Sequence, residues 1–265
     1  MKPGLAALAV FFLPVVSAAL GQQIKFIETQ EKLTPKERER VTRVMQKALE
    51  FHRGHHLFKD TVTLTLTLFE REGEYLDYKY KTTGMQEKSG GFYSPARQEL
   101  ATHRENFRWL QVVIHEAEHH LIYLSQPGCP IWLNEGLAEF FSTGYVRGSR
   151  IVFRPRKDWL KEVGKWRRLG HLPPLEDLFA MSHREFMDVT HRTEGSRSYA
   201  IAYALVYYLM YNEENRQVLQ AVMRDAGQRG IPVEKALDDH YPGGVSRLEH
   251  DWYRFLRLPK GNVVF

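Results

Sequence analysis

Cysteine is almost absent. Cys129 is the only one in 265 residues, which excludes an internal disulfide framework and leaves packing, or packing with a metal, to hold the chain together. Lying in "QPGCPI", its thiol reads as a small buried turn residue, not a nucleophile. Long hydrophobic runs are scarce too. The apolar run from Leu5 to Val16 is shorter than the ~20 residues a helix needs to span a bilayer, and "RSYAIAYALVYYLMYN" is too short and too rich in tyrosine, which favours buried packing. Internal repeats and low-complexity linkers are missing. Nor does one sign of charge dominate: the formal charge is +5, but the basic residues sit among acidic neighbours, as in "TPKERERVTRVMQK", the pattern of a solvated face. With no RNA- or DNA-binding motif beside them, nucleic acid is not expected as a partner.

What is present begins with "MKPGLAALAVFFLPVVSAALGQQ": Lys2, an apolar stretch, then small residues at Ser17/Ala19 or Ala19/Gly21. Residues 1–21 are expected to be a signal peptide, which implies export to the periplasm or the medium and no stable membrane insertion after cleavage. Residues 22–265, drawn from a chain that is 43% hydrophobic, suit one large domain. Its expected parts are an N-terminal α/β part over about 22–106, a helix pair over 107–142 and a C-terminal helical part over 143–265.

Thr34, Pro35 and Glu37 open a helix running to about His52. "TVTLTLTLFE" alternates threonine with apolar residues and predicts a half-buried strand, followed by a short helix around Glu74 to Lys81. "GGFYSPARQELAT" predicts a hairpin or sheet edge. Beyond Asn106, Leu110, Ile114, Ala117, Leu121 and Leu124 form an apolar seam at helical spacing. "PGCP" ends that helix, "IWLNEGLAEFFSTG" starts another, and "RSYAIAYALVYYLMYN" and "GVSRLEHDWYRFLRL" predict two more.

The first of these helices carries "HEAEHH". His115 and His119, four residues apart, lie about 40° apart around a helix and one turn displaced, so both imidazoles reach one ion. Glu116 projects between them in height, where a base acting on a metal-activated water belongs. His120 points about 100° away from His119 and reads as a supporting or surface residue, and Glu118 also leaves the metal face. The bare pattern equally suits two hydrogen-bonded helix histidines, so a third ligand decides. Ile122 and Ser125 stand where a metzincin needs glycine and histidine, which removes that reading. Glu135 is the better candidate: the first helix rises roughly 7.5 Å beyond His119 and Glu135 lies roughly 6 Å into the returning helix, level with both histidines. Glu139, one turn on, shares that face and is placed to accept the free ring N–H of a liganding histidine. "FHRGHH" at 51–56 lacks helical ligand spacing and carboxylate partners and reads as surface.

"HEAEH" followed by "WLNEGLAEFF" resembles the gluzincin zinc metallopeptidases, the superfamily of thermolysin-like enzymes and M1-type aminopeptidases, and most closely small exported bacterial gluzincin-like proteins of unknown function. The resemblance is strong over residues 107–142, extends over about 90–211, and is absent elsewhere. It implies one Zn2+ per chain held by His115, His119 and Glu135, with Glu116 as general base. It also implies a zincin-like α+β fold, a small mixed β-sheet lobe and a largely helical lobe meeting at the metal. In "SRSYAIAYALVYYL" it points to Tyr199 as the donor to the oxyanion, with Tyr203 one turn further as the alternative; His191, Arg192 and Arg197 are candidates to line the same cleft that the sequence alone does not place. Only 15 residues separate His119 from Glu135, fewer than in the well-known peptidases, so a substrate-contacting insertion is expected to be missing. The implied activity is hydrolysis of a peptide or protein substrate. The alternatives are a non-catalytic zinc-containing envelope or binding protein and a zinc amidase acting on cell-wall peptide. No signal for oligomeric state is present.

Overall fold

β-Branched and apolar residues in alternation favour a pleated strand, and "VTLTLTLF" forms one, β2 (Val62–Phe69). In the computed structural model, which describes residues 23–58, 61–86, 89–192, 197–258 and 260–264, β2 lies between β1 (Ile24–Gln30) and β4 (Glu99–His103), parallel to both. β3 (Gly91–Ser94) pairs antiparallel with β4, giving a mixed sheet in the order β1-β2-β4-β3. β2 is more deeply buried than alternation predicts. Leu64, Leu66 and Leu68 are fully covered on one face, while Thr67 is also buried on the other, its hydroxyl bonded to the Glu99 carboxylate. The signal peptide expected over residues 1–21 lies outside the described residues.

Helix α1 (Pro35–Arg53) makes the crossover from β1 to β2. Its start follows from chemistry: the Thr34 hydroxyl accepts from Glu37 N, the Glu37 carboxylate accepts from Thr34 N, and Pro35 occupies the first helical position. Helix α2 (Glu72–Thr83) packs on the other face of the sheet through Tyr75, which meets Phe69 and Ala101. Helices α3 (Trp109–Ser125) and α4 (Ile131–Ser142) follow, joined by a turn in which Gly128 takes φ +83°. The leucine face of β2 shares one core with α1, α3 and α4.

A second sheet was not expected from the sequence. β5 (Gly144–Arg147) and β6 (Arg150–Phe153) form a hairpin, and β7 (Val263–Val264) near the C-terminus adds to β6. Its strands are too short to carry a periodicity. Between β6 and β7 run α5 (Lys157–Arg168), α6 (Leu175–Ala180), α7 (His183–Arg192), α8 (Arg197–Met210), α9 (Glu213–Arg229), α10 (Val233–His240) and α11 (Gly244–Phe255). α8 is the central one, buried from Ala200 to Met210. Trp252 of α11 donates from Nε1 to Ala204 O at 3.2 Å, tying the last helix to it. The result is an α+β fold. Among the described residues no helix is long and apolar enough to cross a membrane.

α4 and α8 approach closely at one residue. A Cβ on Gly136 would lie 2.9 Å from Ala202 O and 2.6 Å from a Val206 methyl, so only glycine fits there. That contact fixes how far α4 stands from α8, and so where the carboxylates of α4 stand relative to α3.

Candidate metal centre

α3 presents His115 and His119 on one face, their rings perpendicular with centroids 4.7 Å apart. α4 returns antiparallel and sets Glu135 Oε2 at 3.3 Å from His115 Nε2 and 3.7 Å from His119 Nε2. Ligand atoms of the three residues lie within 4.8 Å of one another, the only such group among the described residues. Each imidazole is held from behind. His119 Nδ1 pairs with Asn134 Oδ1 at 2.8 Å, and His115 Nδ1 faces Glu139 Oε1 at 3.5 Å. Asn134 Oδ1 holds a proton on His119 Nδ1, which leaves His119 Nε2 its lone pair, and both Nε2 atoms face Glu135.

These residues fit a metal ion. Glu135 Oε2 is buried with the two histidine Nε2 atoms at 3.3 and 3.7 Å, and a carboxylate oxygen so placed is costly unless a cation, a proton on His115 or a metal ion among the three atoms, satisfies it. Two imidazole nitrogens and one carboxylate oxygen are the donor set of many divalent transition-metal centres. The local charge agrees. Burial opposes protonation of His115, but the carboxylates of Glu135, Glu139 and Glu116 prevail and raise it to about 9. The centre is thus rich in carboxylates and favours a cation, a proton on His115 or a metal ion.

Glu116 sits beside the donor set and lines the same cleft, a cavity of ≈ 650 Å³ that also takes in Tyr199, Tyr93 and Arg156. Burial pushes its carboxyl up, His115 and His119 pull it down, and Glu135 and Glu139 push it up again, the net being a raised value. β3 packs against it so tightly that a Cβ on Gly91 would meet Glu116 Cγ at 3.3 Å and a Val112 methyl at 2.4 Å. The Tyr199 hydroxyl rests 3.6 Å from Met187 Sδ. Burial, then the charges of Glu135, Glu116 and Glu139, keep it protonated.

Three site residues were not anticipated. Asn134 had a visible signal, since it precedes Glu135 in "WLNEGL". Arg156 had none: it grips Glu139 through Nη2, donates to Ser142 Oγ at 3.1 Å and lays its guanidinium 4.3 Å over Trp159. His183, exposed at the start of α7, lines the cleft.

Other expectations need correction. The Tyr203 hydroxyl accepts from Arg156 N at 2.9 Å and is fully buried away from the cleft, so it is no alternative to Tyr199. Arg197 stacks on Trp166 and donates to His171 O, pointing elsewhere; the side chains of His191 and Arg192 lie outside the described residues. His120, expected either to support the site or to lie at the surface, is buried, and its Nδ1 pairs with Tyr93 OH at 2.7 Å. "FHRGHH" is not surface either. His52 Nε2 meets Glu118 Oε1 at 2.7 Å, and His52 Nδ1 meets Ser125 Oγ at 3.1 Å and His55 Nε2 at 3.2 Å. Burial lowers His52 to about 3, so this network ties α1 to the back of α3 without assembling metal ligands. Cys129 is half-buried in the turn between α3 and α4, and burial pushes its thiol up, which agrees with an unreactive turn residue.

No curated protein matches the chain. Residues 110–234, which contain His115, Glu116, His119, Asn134, Glu135, Glu139, Arg156 and Tyr199, match the model of a family described as a protein of unknown function (DUF1570).

Proposed function

We propose that the chain is an exported zinc peptidase of the gluzincin type, holding one zinc ion through His115, His119 and Glu135 and cleaving peptide bonds with Glu116 as general base. The observation that carries this reading is the convergence of ligand atoms of His115, His119 and the buried Glu135 within 4.8 Å of one another, with Glu116 beside them in an open cleft. A purely structural zinc site closes its fourth position and needs no base. Export rests on the sequence of residues 1–21.

Zinc bound by three protein ligands would supply an acidified water and polarise a carbonyl. Glu116 takes the proton of the attacking water and returns it to the leaving amine; a carboxyl with a raised pKa releases a proton less readily to solvent and holds it through the transfer. Tyr199 donates its hydroxyl to the oxyanion that forms at the attacked carbon. Glu139 and Asn134 fix the two imidazoles, and Arg156 fixes Glu139. β3 is the outer strand of its sheet, and its residues Gly91, Phe92 and Tyr93 line the cleft. Its free edge suits an extended peptide, which would pair as a further strand.

The test is Glu116→Gln. The variant should keep its metal and lose hydrolysis of a denatured-protein digest by about 10²-fold or more, the usual share of a general base. Turnover that survives the change would remove Glu116 from that role.

A further inference from the structure

A second cavity, of ≈ 630 Å³, opens beside the metal cleft and shares Arg108, Gln111, Arg156 and Trp159 with it. Its wall carries five cationic side chains, Arg40, Arg108, Arg154, Arg156 and Lys157, against one acidic one, Asp158. Elsewhere the basic residues are interleaved with carboxylates, so this concentration is local. Four different segments build it: α1 brings Arg40, the entry to α3 brings Arg108, the end of β6 brings Arg154, and the start of α5 brings Lys157.

These guanidinium groups are positioned but not neutralised. Arg40 donates from Nε to Gly144 O at 3.0 Å, and Arg108 donates from Nε to Gln111 Oε1 at 2.9 Å. Arg154 lies 3.8 Å over the Tyr145 ring. In each case the terminal nitrogens remain for another acceptor, and among the described residues Arg40, Arg108, Arg154 and Lys157 form no ion pair with a carboxylate. Arg156 is spoken for by Glu139 on one side, but its Nε is buried without a partner. Burial, then the charge of Arg154, pushes Arg40 below its usual range, and burial does the same to Arg156, with Glu139 opposing and Arg108 adding to it. Like charges held together at this cost are relieved by an anion that accepts from several of them at once.

We propose that this cavity is an anion subsite that seats a carboxylate of the peptide whose backbone lies in the metal cleft. The proposal rests on the peptidase reading for the identity of the ligand, since the anion a peptide offers is a carboxylate. Two sources share that chemistry, the C-terminal α-carboxylate and an aspartate or glutamate side chain. The subsite makes the protein selective for acidic or free-ended peptides, and it places the bound carboxylate one pocket away from Glu116.

The experiment measures binding without turnover. Zinc-loaded Glu116→Gln protein is titrated into three dansylated pentapeptides, read by fluorescence anisotropy: one with uncharged side chains and a free C-terminus, its C-terminal amide, and the amide with glutamate as last residue. At least one carboxylate-bearing probe should bind about ten-fold more tightly than the neutral amide, with the preference shrinking as salt is added. Which of the two binds names the source. Arg40→Gln/Arg154→Gln in the same background should abolish the preference while zinc content and the far-ultraviolet spectrum are kept. Exposed Arg154→Gln alone serves if the double variant fails to fold. Equal binding of all three probes, no binding of any, or a preference that survives the arginine changes would overturn the subsite. The peptidase reading fails by a different measurement, loss of zinc binding or of Glu116-dependent hydrolysis.

Discussion

Asn134 and Glu139 are ordinary residues with an exacting task, because an imidazole binds metal only from the nitrogen that lacks a proton. Asn134 Oδ1 accepts from His119 Nδ1 at 2.8 Å, which leaves the Nε2 lone pair for the ion. Replacing Asn134 with alanine should weaken metal binding about ten-fold, as lost support of a liganding histidine commonly does, with the fold retained. Competition against a chelator measures this, and an unchanged affinity would mean that something else orients the ring. Proton and metal also compete at His115. Its pKa, raised to about 9 in the metal-free centre, means that a proton occupies the site at neutral pH and must leave when metal enters. Affinity should therefore climb with pH, by about ten-fold per unit for one released proton, and level off near pH 9. A flat profile between about pH 6 and 8 would contradict it. His115, Glu116 and His119 were legible in the sequence because helical spacing is local. Arg156 was not, since it reaches Glu139 across a strand hairpin that no periodicity announces.

Helices α3 and α4 were legible as elements for the same reason, and the level at which Glu135 returns follows from helix rise and the length of the turn. What the sequence did not disclose is the distance between α4 and α8. Gly136 sets it: any side chain there meets Ala202 O and Val206. Gly136→Val should destabilise the protein by about 1–3 kcal/mol through overpacking, outweighing the better helix propensity of valine. Calorimetry should show a lower Tm. Because α4 must shift to admit the methyls, metal affinity should fall with it. A stable variant with full affinity would show that the α4–α8 spacing is not what places Glu135. The second sheet escaped notice because β5, β6 and β7 span four, four and two residues, too few for alternation to register. The sequence predicts only a helical region over 143–265 where α5, α6, α7, α9 and α10 stand as separate helices.

Across the whole molecule, the metal helix α3 is clamped from both sides. On its front are α4 and, behind α4, α8; on its back are α1 and the sheet. The buried contact of His52 with Glu118, 66 residues apart in the chain, belongs to this second clamp and explains why "HEAEHH" carries more acidic and imidazole groups than one metal needs. His115, Glu116 and His119 serve the cleft, whereas Glu118 and His120 bond to α1 and β3. Such long-range pairs cannot be read from local spacing, which is why "FHRGHH" looked like surface. The central claim concerns the front of the helix, and metal stoichiometry tests it most directly. Purified without chelator or affinity metal, the protein should contain one zinc per chain by mass spectrometry, and its Glu135→Ala variant should contain almost none. A wild-type protein that takes up no zinc even when it is added back, or a variant that keeps its full complement, would contradict the assignment of His115, His119 and Glu135 as the ligands.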